Sequence, residues 1–389
     1  MLFRSQPNST PMAHKRRACA FSASRTNSSL LRRRSCRALT NRLLCLIRCR
    51  NGAGLLNPVR LRTYINREGI LHMKAAGALS GSAAPGFSRA VIVQEPIEAS
   101  GPNMGRANEL CAELEAGNIV LMPCSPIRFP DEDRDLLFGR KQASSPYHKN
   151  IAYRPMEDRI TGVSGSAEAE SQQVRRILRD YSRRVTEFLS NLLSPYAANW
   201  KLDYASYRPV EEKARPARLH ARNDLLHFDS FPTRPTNGGR ILRFFTNINP
   251  AQSRVWVTSQ TFEAFGPRFA LAAGLANSSA SEAFTRRARS FARAIGLPVF
   301  GRPPYDEFMH RCHNLMKEDA NFQENTPKQR WEFAPNSSWI AFTDCVSHAV
   351  LSGQYALEQT FLIPQNALVA PKRSPLAILE KIAGRRLTI

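Results

Sequence analysis

No stretch of this 389-residue sequence reaches the roughly 18 consecutive apolar residues that a membrane-spanning helix requires. The compact apolar run Leu43-Leu44-Cys45-Leu46-Ile47 is short and flanked by arginine. It lacks the longer apolar core and small-residue cleavage site of a secretory signal. Paired cysteine spacing is missing too. Eight cysteines lie at 19, 36, 45, 49, 111, 124, 312 and 345, and Cys45-x-x-x-Cys49 has no second half. That excludes a zinc ribbon and leaves reduced, incidental thiols of a cytoplasmic protein. Acidic residues are scarce at the start: residues 1–72 carry 14 Arg and Lys15 against Glu68 alone. This segment therefore holds +14 of the formal net charge of +23, leaving +9 for the other 317 residues. A nucleic-acid partner, which the total charge would suggest, is not expected once the excess is located there.

What remains reads as a globular chain. An Arg- and Ser-rich, acid-poor start resembles an organellar transit peptide. The change of composition at Met73 fits an upstream extension of the reading frame equally well, and we take that second reading. Residues 1–72 are thus expected to be a basic, disordered extension and 73–106, rich in Ala, Gly, Ser and Pro, a flexible linker. The catalytic body is expected over 107–389. Helical spacing marks 109–117, ending at Gly117, then 130–140 and 168–194, where Val174, Ile177, Leu178, Tyr181, Val185, Phe188, Leu189 and Leu192 recur on one face. Strand patterns cover 118–123, 200–209, 218–227, 240–249, 255–261, 331–333, 338–343, 349–351 and 357–363. A helical insertion is expected at about 262–330, with helices over 283–294 and 305–317. Many short strands with Gly/Pro turns imply a mainly β fold with flanking helices. The specific expectation is a double-stranded β-helix (jelly-roll) core carrying that insertion.

The chemistry gathers at Leu226-His227-Phe228-Asp229-Ser230-Phe231-Pro232, before the turn Thr236-Asn237-Gly238-Gly239. In extended backbone, residues i and i+2 share a face, so His227 and Asp229 can reach one metal ion. Two histidines and a carboxylate on three facial positions form the site of non-haem Fe(II) oxygenases, with positions left for cosubstrate and O2. His348, opening a strand after the turn Pro335–Ser337, is expected to supply the second imidazole. A 2-oxoglutarate cosubstrate also needs a cation for its far carboxylate. No Arg or Lys follows His348 until Lys372, so that cation is sought on the strand after the His-x-Asp turn. There Ile241, Arg243, Phe245, Asn247 and Asn249 share one face, polar groups among aromatics, as a ligand pocket would. Arg243 is expected to bind the cosubstrate, with Arg240 on the other face held in reserve.

Several segments together resemble one family. They are His227-Phe-Asp-Ser-Phe-Pro-Thr-Arg-Pro-Thr-Asn-Gly-Gly-Arg-Ile-Leu-Arg-Phe, Asn247-Ile-Asn-Pro, Tyr147-His-Lys-Asn-Ile-Ala-Tyr-Arg-Pro and Ser347-His-Ala-Val-Leu-Ser-Gly-Gln-Tyr-Ala-Leu-Glu-Gln-Thr-Phe. Over roughly 107–365 the chain looks like the bacterial 3-deoxy-D-manno-oct-2-ulosonic acid (Kdo) hydroxylases. The resemblance implies an Fe(II)/2-oxoglutarate dioxygenase with His227, Asp229 and His348 on iron. It implies hydroxylation at C3 of the Kdo sugar of Kdo-lipid A, giving Ko in lipopolysaccharide, by a cytoplasmic enzyme peripheral on the inner membrane. The anionic substrate would give His148, Lys149, Arg154 and Arg208 a role as contacts. Two alternatives stay open: the same iron site acting on a nucleic acid base or another glycan, or a jelly-roll module that binds glycans without catalysis.

Overall fold

The computed structural model describes residues 60–65, 70–76, 86–93, 103–140, 150–163, 168–213, 217–272, 275 and 302–388. All lie within one compact unit, Leu46–Ile389. Among the described residues, thirteen strands form two sheets. In spatial order the larger holds β1 (Arg60–Ile65), β2 (Ile70–Ala76), β3 (Ala90–Val93), β4 (Ile119–Met122), β11 (Ser338–Phe342), β8 (Arg240–Asn247), β13 (Ala356–Ile363), β7 (Lys201–Arg208), β5 (Ile151–Arg154) and β6 (Arg159–Thr161). The smaller holds β10 (Gln329–Phe333), β9 (Arg254–Thr261) and β12 (Val346–Ser352). All pairings are antiparallel except β3 with β4. The four strands β7, β13, β8 and β11 face β12, β9 and β10, the two-layer jelly-roll arrangement, and among the described residues the sheets do not close into a barrel.

Alternation along each strand divides the core in two. Inward residues of the large sheet, Leu121, Phe245, Trp339 and Ala341, pack on Trp256, Trp331, Phe333 and Val350 of the small one. The rings interlock there: Phe333 stacks on Trp339 at 3.8 Å, and Trp256 meets Phe245 edge-on at 4.9 Å. Outward residues Val120, Leu242, Phe244, Ile340, Phe342, Leu357 and Phe361 pack under helices. These are α1 (Met104–Glu115), α2 (Asp131–Phe138), α3 (Glu168–Leu192) and α4 (Ser194–Ala197). The apolar stripe of α3 read from its spacing is buried, apart from the half-buried Phe188. Each fully buried Leu or Phe there contributes roughly 1.5–3 kcal/mol. α1 starts where the Asn103 side chain caps the Arg106 amide, and stops before Gly117. Gly117 has φ +82°, and a Cβ there would lie 2.6 Å from Thr261 Cγ2, so both backbone and space demand glycine.

Between β9 and β10 the chain is helical in α5 (Phe262–Ala272), α6 (Pro304–Glu318) and α7 (Ala320–Asn325). The helix expected over 283–294 lies outside the described residues. Two expectations need correction. The stretch assigned to extension and linker contributes β1, β2 and β3 to the sheet, and Val91, Ile92 and Val93 are buried. Residues 218–227 form no strand: Leu219–Ala221 is a single 3₁₀ turn. The basic tail after Pro364 carries a short helix, α8 (Pro375–Ala383), whose Ser374 side chain caps its first turn.

Candidate metal centre

The segment before β8 runs across the inner ends of both sheets. His227 and His348 of β12 form an isolated antiparallel bridge, each amide donating to the other's carbonyl at 3.1 and 3.0 Å. Two residues on, the Asp229 amide donates to the Thr343 carbonyl at 2.8 Å. The extended backbone turns His227 and Asp229 to one side, and the bridge delivers His348 beside them. One ligand atom from each of the three lies within 4.8 Å of the others. This is the one such group among the described residues.

Backbone carbonyls orient both rings. His227 Nδ1 lies 2.7 Å from the Leu225 carbonyl, and His348 Nδ1 lies 2.9 Å from that of Val346. A carbonyl only accepts, so each Nδ1 carries the proton and each Nε2 keeps its lone pair. Burial drives both imidazoles below their ordinary pKa, and for His227 the nearby Lys317 ammonium adds to this. Burial alone would raise the Asp229 carboxyl. Arg243, His227 and His348 override it and hold Asp229 well below the usual carboxylate range. Neutral imidazoles with an ionised carboxylate form the donor set that Fe(II) takes in facial triads. Asp229 Oδ2 is buried without an aligned hydrogen bond, although Arg243 Nη2 stands 3.1 Å away as an ion pair. An acceptor kept dry and incompletely satisfied fits a metal ligand.

A family model for 3-deoxy-D-manno-oct-2-ulosonic acid (Kdo) hydroxylase matches residues 99–386. The chain belongs to the Kdo hydroxylase family. Among solved structures it is similar to the Kdo hydroxylase KdoO, a non-haem Fe(II) α-ketoglutarate-dependent dioxygenase, in complex with cobalt(II). The identity is 32%, over 76% of this chain and 97% of that one, with a TM-score of 0.64. The KdoO complex with α-ketoglutarate and Fe(III) is 31% identical over the same shares, with a TM-score of 0.62. A search of curated sequences gives no match.

In this Kdo hydroxylase the two arginines expected at the cosubstrate lie on opposite faces of β8. Arg243 points inward, joined to Asp229 and, at 3.4 Å, to Glu358. Arg240 points to the helical side, where its Nε donates to Asp344 at 2.8 Å and its guanidinium covers the Phe342 ring at 4.1 Å. Arg240 therefore does not reach the centre. Nor does Asn247 offer its amide to a ligand. It donates to the Gln252 and Phe333 carbonyls at 2.9 and 3.0 Å and accepts from the Asn249 amide, which fixes the β8–β9 turn. Arg208, expected at the substrate, is bound to Glu358 at 2.7 and 3.0 Å and lies 3.6 Å from Glu212. Arg154 lies on the inner face of β5 near the rim, with Glu157 at 3.3 Å. His148 and Lys149 lie outside the described residues.

Sequence reasoning missed the rest of the buried network. Glu358, a lone carboxylate inside the apolar strand Leu357–Ile363, joins Arg208 and Arg243. Arg254, at the start of β9, lies 3.7 Å from Glu212 and donates to the Gly353 carbonyl at 3.0 Å. Burial and the neighbouring Arg208 pull Arg254 down to about 10 against the pull of its acids. Gly353, at φ +125°, is where Arg254 lies flat: a Cβ would meet its Cγ at 2.8 Å. The visible signal was a charged residue at an inward position of an apolar strand, which calls for an ionic partner.

Proposed function

We propose that this chain hydroxylates C3 of the Kdo sugar of Kdo-lipid A with Fe(II), 2-oxoglutarate and O2, through His227, Asp229 and His348 as the iron ligands. The observation that carries the reading is the bridge that brings the three ligand atoms within 4.8 Å of one another. Bound iron supplies the oxidising chemistry that accompanies decarboxylation of 2-oxoglutarate to succinate and CO2. The chain's own residues do the rest. Nδ1–H bonds to carbonyls fix both imidazoles, and Arg243 steadies the Asp229 carboxylate. We assign to Arg243, with Arg208 and Arg254 behind it, the positive end of the site that receives the cosubstrate's far carboxylate. Trp256 stacks on the His348 ring at 5.2 Å and holds that imidazole against the core between the sheets.

The acceptor carries its sugar on a lipid, so we place the enzyme peripherally at the inner membrane surface. No helix among the described residues is long and apolar enough to cross a membrane. The test is succinate formation with Fe(II), measured with and without Kdo-lipid A, alongside mass spectrometry for one added oxygen and NMR to locate it. Asp229→Ala is expected to cut turnover by more than the 10- to 100-fold typical of outer-shell changes. Turnover unchanged in that variant would remove the site.

A further inference from the structure

A stack of alternating guanidinium groups and rings runs from the rim of the large sheet to Asp229. Arg154 lies over the Tyr204 ring at 5.0 Å, and Arg234 lies over the same ring at 3.9 Å. Arg234 also covers Phe231 at 4.3 Å, and Arg243 stands 5.7 Å from Phe231 on its way to Asp229. Four elements supply it: β5, β7, the loop that follows Asp229, and β8.

The chemistry of Arg234 differs from that of the buried arginines. Its guanidinium is held flat between two rings, so both faces are used and only the edge remains for hydrogen bonds. One edge nitrogen, Nη1, goes to Asp203, its one polar partner among the described residues. The side chain keeps 32% of its exposure, and that of Arg154 28%. A fixed guanidinium edge beside open space suits a planar carboxylate. The neighbouring rings suit the apolar face of a pyranose.

We infer that Arg234, clamped by Tyr204 and Phe231, is the residue that selects an acidic sugar by binding its carboxylate. This rests on the proposed Kdo hydroxylation. Phe231 lies two residues beyond Asp229, so the clamp and the metal ligand share one short segment, and a sugar anchored at Arg234 meets the metal at a set distance.

The experiment compares a Kdo-terminated acceptor with the same acceptor bearing a carboxamide in place of the carboxylate. The parent chain favours the acid. In Arg234→Gln, KM for the acid rises roughly 10- to 100-fold, the range for losing a hydrogen bond to a charged group. KM for the amide and kcat move far less, and the preference between the two disappears. Arg234→Lys, which keeps the charge, restores part of the preference. Calorimetric titration of free Kdo into the metal-free chain gives a second readout, weaker in Arg234→Gln by a similar factor. The visible absorption of bound cobalt(II) matches the parent in both variants. A preserved preference for the acid in Arg234→Gln overturns the inference while leaving the hydroxylase reading intact. A parent chain that turns over neither acceptor overturns both.

Discussion

The two faces of β8 hold arginines three residues apart, Arg240 fully buried and Arg243 mostly so, with opposite surroundings. On the helical side, Arg240 has one carboxylate, Asp344, and apolar walls. Two of its nitrogens and one oxygen of Asp344 make no hydrogen bond. On the inner side, Arg243 belongs to a network in which Arg208, Arg243 and Arg254 meet Asp229, Glu212 and Glu358. The carboxyls register the contrast. Burial raises Asp344 more than Arg240 can lower it, whereas Arg208 and Arg243 overcome the same burial and hold Glu358 below its ordinary value. A single buried pair costs about as much as it returns. Around Asp229 three arginines share three carboxylates, and Arg243 is the one that reaches the proposed metal ligand.

The largest expected effect breaks the outer pair. Arg240→Met leaves Asp344 buried without its cation and is expected to lower the unfolding free energy by about 3–5 kcal/mol in urea melts. Adding Asp344→Leu should return most of that loss, and KM for 2-oxoglutarate should stay at the parent value throughout. The inner arginine should behave the other way. Arg243→Gln is expected to raise KM for 2-oxoglutarate roughly 10- to 100-fold, since a charge-assisted bond to the carboxylate is lost.

Acid sharpens the comparison through opposite signs. Asp344 has its folded-state pKa raised, so the native chain binds the extra proton first and gains stability as pH falls through that value. Glu358 has its folded-state pKa lowered, so its contribution is complete above 4.5 and is lost as pH falls below that towards the depressed value. In melts from pH 7 downwards, Asp344→Asn should remove an acid-side gain and Glu358→Gln an acid-side loss. The smallest expected effect concerns the far edge of the sheet. Removing residues 1–59 should leave turnover intact. Removing residues 1–93 should not, because the buried Val91, Ile92 and Val93 go with them and bare β4.

The sequence showed much of this where the pattern was strong. β8, β9, β11 and β13 and the stripe of α3 were readable because one side of each is apolar at the right period. The His-x-Asp pair was readable because extended backbone fixes its facing, and the alternation along β8 separated Arg243, beside Asp229, from Arg240 on the other face. Residues 218–227 misled because their polar backbone groups are satisfied by side chains. Lys317 Nζ donates to the His220 and Arg222 carbonyls at 3.1 and 2.6 Å, and Gln323 pairs with the backbone of Leu226. Apart from the contacts of Asn223 and His227 with β12, no strand partner was needed, and local pattern carries no trace of a lysine about 95 residues away. β3 was hidden for a related reason: four apolar residues amid Ala, Gly and Ser become a strand only beside β4. Asn247 looked like a ligand contact because a buried amide that closes a turn and one that binds a substrate read alike.

The reciprocal bridge between His227 and His348 makes two of the three donors neighbours on paired backbone. The loop that bears Asp229, Phe231 and Arg234 is tied to the sheets at this isolated rung and at the Asp229 amide rather than along a ladder. A metal held there acts as a rivet, so its affinity and the ordering of that loop are one quantity measured twice. Chelation should loosen the wall that faces the sugar, and a sugar resting on that wall should slow the metal's escape.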